Sequence, residues 1–226
     1  MATPVSGRTI SIPTRPESRS DEFVVVASEL GLGYNFPQRM ADRLWAPMFV
    51  MGVMGLAAGL VAAFVRAGIM SSDPGDAVRL AQLQHVTAGL SFIGFLGVFS
   101  GIVFAIARIL GAFRKGGGEV QEAVVPHVQT LKMPTTAKAM IALMAMGMMA
   151  ILVPVILHFV VAAGVTSSEA DLVRSEQWFV AIEGVRRLGI ALYLVAIALG
   201  LATIVHVLRF QAVRILELVR ERPAQD

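Results

Sequence analysis

The stretch Leu80–Phe113 constrains this chain more than any other. From Val86 to Ala107 it carries no charged residue, and small residues recur along it at Gly89, Gly94, Gly97, Ser100 and Gly101. About 20 apolar residues in helical conformation cross the hydrocarbon core of a bilayer. The run therefore predicts a transmembrane helix suited to close packing against its neighbours. Three further runs share its character, and together they predict spans at about 44–70, 81–113, 139–165 and 188–208. The expected fold is all-α: an integral membrane four-helix bundle with cytoplasmic N- and C-terminal extensions at 1–43 and 209–226.

Composition agrees. Mean hydropathy is +0.71 and charged residues are 15% of the chain, against about 25% in soluble proteins. Cysteine is absent, which excludes disulfides, thiolate metal sites and covalent c-type haem attachment. The basic residues border apolar runs instead of forming a patch, so a nucleic-acid partner is not expected. The polar N-terminus lacks the apolar core of a secretory signal peptide.

Residues 1–20 read as a mobile tail rich in Ser, Thr, Pro and Arg. The apolar patch Phe23–Val26 is too short to span and fits a short helix or strand, with Gly31, Gly33 and Pro37 marking a turn after it. In the first span, Gly55 and Gly59 form a small-xxx-small face that Gly52 extends. Gly116–Gly118 is expected to end the second helix and open an irregular linker to Lys138. A short helix is expected within Ser167–Arg187, before the fourth span. Beyond it, Phe210, Val213, Leu216 and Val219 suggest an amphipathic helix. Fourteen basic residues fall on the side that holds both termini and five on the other, which predicts cytoplasmic termini.

The apolar cores contain no acid, so a proton relay or ion-coupled transporter is the least favoured class. Histidine is the remaining signal. His85 lies six residues past Arg79, about 9 Å inward, and His158 nine residues before Ser167, about 13 Å inward from the same side. The second span runs inward and the third outward, so these two side chains are expected to face each other in the outer leaflet. Two opposed neutral imidazoles suit the axial positions of a b-type haem. Gly89, one turn from His85, would leave room for the flat macrocycle, and Arg66, Arg79, Arg174, Arg186 and Arg187 would lie at the outer end near its propionates. His206, beside Arg209, reads as a headgroup-level residue, and His127 falls in the linker.

Met140, Met144 and Met148 share one helix face. Thioethers bind Cu(I), but without cysteine nearby the stripe reads as flexible packing. In layout, though in no motif, the chain resembles the small four-helix cytochrome b anchor subunits of respiratory complexes. That resemblance implies an electron-transfer subunit beside a larger partner, with His85 and His158 as metal ligands, Gly89 lining the cofactor site and no catalytic residue of its own. The competing expectation is a cofactor-free membrane anchor or assembly subunit.

Overall fold

The computed structural model describes residues 23–28, 34–125 and 128–221. The expected tail at 1–20, the turn at Gly31 and Gly33, and His127 lie outside them. The element order is β1 (Val25–Ser28), α1 (Phe36–Ser72), α2 (Ala77–Glu122), β2 (Val128–Leu131), α3 (Thr135–Gly164) and α4 (Glu169–Glu221). All four helices are long and apolar enough to cross a bilayer. The chain is an integral, multi-pass membrane protein with an all-α four-helix architecture.

α2 is the centre of the arrangement, packing against α1, α3 and α4. α1 rests on α2 and makes no substantial contact with α3 or α4. The reason is a seam of glycines. A Cβ added at Gly52 would lie 2.2 Å from the Val98 backbone nitrogen, and one at Gly97 would lie 2.5 Å from the Gly52 Cα. Gly55 meets Gly94 in the same way, and Gly101 meets Phe49. Only glycine lets two helix backbones come this close, and in lipid such packing replaces the hydrophobic drive that water would supply.

α4 is one continuous helix of 53 residues, not a short helix followed by a separate span. Its inward seam runs Ser175, Phe179, Ile182, Arg186, Gly189, Tyr193, Ala196, Gly200, Thr203, Val207, Phe210 and Arg214, every member buried or half-buried. The steps alternate four and three residues, the period of helices packing with a left-handed twist. Hydrogen bonds punctuate the seam: Ser100 Oγ to Tyr193 Oη at 2.7 Å ties α2 to α4, and Thr203 Oγ1 is hydrogen-bonded to Thr136 Oγ1 of α3 at 2.7 Å. Phe92, Val103, Ile106, Met140, Ile151 and Val155 fill the core between these ties. Met140 is buried against Ile106 and Gly200, while Met146 and Met149 face outward.

The helix break expected at Gly116–Gly118 does not occur; α2 continues to Glu122. Gly117 serves close approach, since a Cβ there would lie 2.2 Å from the Gln211 side chain of α4. The end of α4 is also rotated from the expected face. Phe210, Arg214 and Leu218 are buried, whereas Leu216 and Val219 are exposed. Arg214 turns inward because it donates to Gln121 Oε1 at 3.4 Å and pairs with Glu217 at 3.1 Å.

Outside the helices, β1 and β2 form a two-stranded antiparallel sheet, with Val25 opposite Leu131 and Ser28 opposite Val128. Gln121 completes the end that holds it. Its amide donates to Gln129 O at 3.0 Å and accepts from Gln129 N at 2.9 Å, in the manner of a further strand. Gln121→Ala is expected to speed amide hydrogen exchange across Val128–Leu131 while leaving the α3 core amides unchanged. Equal protection in mutant and wild type would assign the sheet's order to other contacts.

Candidate functional site

His85 enters the bundle from the third turn of α2, whose N-terminus is fixed by Asp76 accepting from the Arg79 amide at 3.1 Å. His158 sits one turn past Pro154 in α3, near its C-terminal end. The structure brings these two residues together, both buried. Their Nδ1 atoms are 2.8 Å apart, a direct hydrogen bond. His85 Nε2 lies 3.0 Å from Ser175 Oγ, which extends the chain of bonds to α4. One side chain from each of α2, α3 and α4 thus closes a polar tie inside an apolar bundle. Sequence reasoning missed Ser175; the four-three spacing of the α4 seam, which begins there, was the available signal.

The tautomers are linked. If His85 donates from Nδ1, its Nε2 accepts from Ser175; if it accepts at Nδ1, its Nε2 donates to the serine. In either case His158 Nε2 is buried with no hydrogen-bond partner. Around it the walls are aromatic. Phe92 meets His158 edge to face at 4.8 Å between ring centroids, and Phe179 lies 5.6 Å from His85 and 5.7 Å from His158.

These distances measure the fit of a haem. Metal–imidazole bonds are about 2.0–2.1 Å long, so an iron between two axial nitrogens holds them about 4 Å apart. At 2.8 Å the two Nδ1 atoms leave no place for an iron between them. Nor is the space beside Gly89 open. A Cβ there would lie 3.0 Å from the Phe159 ring and 3.5 Å from the His158 Cβ, so the glycine lets α3 and its phenylalanine close in. As the rings stand, His85, His158 and Gly89 do not form a macrocycle pocket. No cluster of three His, Asp or Glu side chains with metal-holding geometry occurs among the described residues.

A second polar layer lies beside the histidines. Arg66 of α1 donates from Nη2 to Gln84 Oε1 at 2.7 Å and from Nε to Leu80 O at 3.3 Å. Gln84 in turn reaches Glu176 at 3.4 Å. Arg186 of α4 has its guanidinium 4.8 Å from the Phe92 ring centroid and is paired with Glu183. This corrects one expectation. Arg186 is eleven residues, about 16 Å, along α4 from Ser175, so its backbone lies toward the middle of the bundle and not at the helix ends that hold the histidine tie. Glu183 lies in the same helix, because α4 is continuous. His206 takes no part in this site; its ring packs on Phe23 at the opposite end, 5.4 Å between centroids.

No protein-family model, curated protein or solved structure matches the chain.

Proposed function

We propose that this integral membrane protein is a cofactor-free anchor or assembly subunit of a larger membrane complex, in which His85, His158 and Ser175 serve as a polar tie between helices. The observation that supports the reading is the 2.8 Å bond between the two Nδ1 atoms, which gives each imidazole a protein partner and leaves no gap for a metal between those atoms. Interhelical bonds of this kind fix the mutual rotation of helices where the apolar effect gives little direction. The partner is a protein docking on the termini-bearing end, which the distribution of basic residues assigns to the cytoplasm. There Ile215, Leu216 and Val219 are exposed, 6 to 10 residues beyond Arg209 and so about 9–15 Å past the apolar span. Exposed apolar side chains clustered outside the lipid favour protein contact.

A second reading has one observation in its favour. His158 Nε2 is a buried ring nitrogen with no partner, the kind of atom a metal takes. A b-type haem on His85 and His158 would require the two rings to part and Phe159 to withdraw from Gly89. A reduced-minus-oxidised absorption spectrum of the haem-supplied chain decides between the readings. The anchor reading expects a flat spectrum and a copurifying protein that Leu216→Asp and Val219→Asp release. Sharp b-type bands lost in His158→Ala would overturn it.

A further inference from the structure

Between α1, α2 and α4 lies a cavity of about 320 Å³, next to the histidine pair but separate from it. Phe179 forms part of its wall and packs on both imidazoles. The polar lining comes from three helices: Arg66 from α1, Gln84, Thr87 and Ser91 from α2, and Glu183 and Arg186 from α4.

Two of these residues carry buried polar atoms without a hydrogen-bond partner. They are Thr87 Oγ1 and Arg186 Nε, and both belong to the wall of this one cavity. Buried polar groups are almost always satisfied, so two orphans on one cavity indicate a missing occupant. Its chemistry follows from theirs. An arginine Nε only donates, and a threonine hydroxyl can donate, so the occupant presents acceptor oxygens. Glu183 is already paired, with Arg186 and with Arg187. Arg66 and Arg186 against Glu183 leave the lining with one net positive charge.

The rest of the wall is apolar, with Ala63, Ala67 and Met70 on α1 and Ala88 on α2. Because α1 packs on α2 and not on α4, the cleft between α1 and α4 faces the surrounding lipid. An occupant can reach the cavity sideways with an apolar tail lying along that cleft.

We propose that this cavity binds the phosphate oxyanion of an acidic amphiphile, with Arg66, Thr87 and Arg186 as its donors. The same chemistry is offered by an anionic phospholipid headgroup and by free phosphate, and the two are distinguishable. The site is independent of the anchor reading, since its test reads neither colour nor protein partners.

The full chain, purified in neutral detergent, is titrated with phosphatidylglycerol, phosphatidylcholine or inorganic phosphate, with melting temperature and native mass spectrometry as readouts. Phosphatidylglycerol is expected to raise the melting temperature and to remain bound at one molecule per chain, with phosphatidylcholine doing neither. A ligand that binds only the folded state must stabilise it. Thr87→Val, nearly identical in shape, is expected to weaken phosphatidylglycerol about tenfold, the worth of a hydrogen bond to a charged group. Arg66→Gln is expected to do the same or more, while Arg79→Gln, exposed at the same end but outside the cavity, leaves binding unchanged. Inorganic phosphate that stabilises the wild type but not Thr87→Val also supports the site and makes its source a free anion. Equal response to both lipids without a phosphate effect, or wild-type affinity in both Thr87→Val and Arg66→Gln, overturns the proposal.

Discussion

Replacing Gly52 by leucine is expected to detach α1 from α2. The added Cβ alone would lie 2.2 Å from the Val98 nitrogen and 2.7 Å from the Gly97 carbonyl carbon. Both obstacles are backbone, so no rotamer change relieves them and the helix axes must separate. Overpacking a core typically costs about 1–3 kcal/mol, and this site belongs at or above the top of that range. For a chain of this length about 3 kcal/mol corresponds to a fall in melting temperature of roughly 6–12 °C. Because α1 has no other substantial neighbour, the loss should be local first: labelling of a cysteine introduced into α1, or proteolysis there, should rise before α3 and α4 loosen. Gly68→Leu is the control, since nothing lies within 4 Å of a Cβ there, and its melting temperature should stay within about 2 °C of wild type. Similar melting curves for the two variants would show that the glycine seam does not hold α1.

The second expected result concerns the histidines. His158→Ala strands His85 Nδ1, and His85→Ala strands both His158 and Ser175. Each single change leaves a buried polar atom unpaired, at a cost of about 1–3 kcal/mol. The double variant should cost less than the sum, because it removes both ends of the 2.8 Å bond. Hydrogen bonds between membrane helices measured in this way give coupling energies of about 0.6 kcal/mol on average and up to about 1.7. A value in that range is expected from a double-mutant cycle on unfolding in mixed micelles. Strict additivity would mean that the two rings do not act as a pair.

Much of this architecture is readable from the residues alone. Long uncharged runs are one-dimensional signals, and the small rise per residue of a helix converts sequence offset into depth. That is why His85 and His158 could be placed opposite each other, and why Gly52, Gly55 and Gly59 could be assigned to a contact face. What lay beyond reach depends on partners distant in the chain. Gly117 looks like a helix breaker until Gln211 is known to lie across it. Arg214 belongs on a solvated face until Gln121 is there to receive it. Glu183 and Arg186 look like loop charges unless Ser175–Arg214 is read as one seam with its alternating four and three spacing. Once that seam is recognised, Ser175 falls on the same face as Tyr193 and Thr203. The charge pair is then seen to lie within the helix, toward the middle of the bundle.

The continuity of α4 has a mechanical side. From Ser175, bonded to His85, to Arg214, bonded to Gln121, it runs 39 residues without a proline, a distance of about 58 Å. α1 and α3 each contain an internal proline, Pro47 and Pro154; α4 has no such hinge. An unbroken helix lacks the hinge that a proline would supply, so its two ends are joined by one continuous element. The histidine–serine tie and the strand-like amide of Gln121 are therefore fixed to opposite ends of a single shaft.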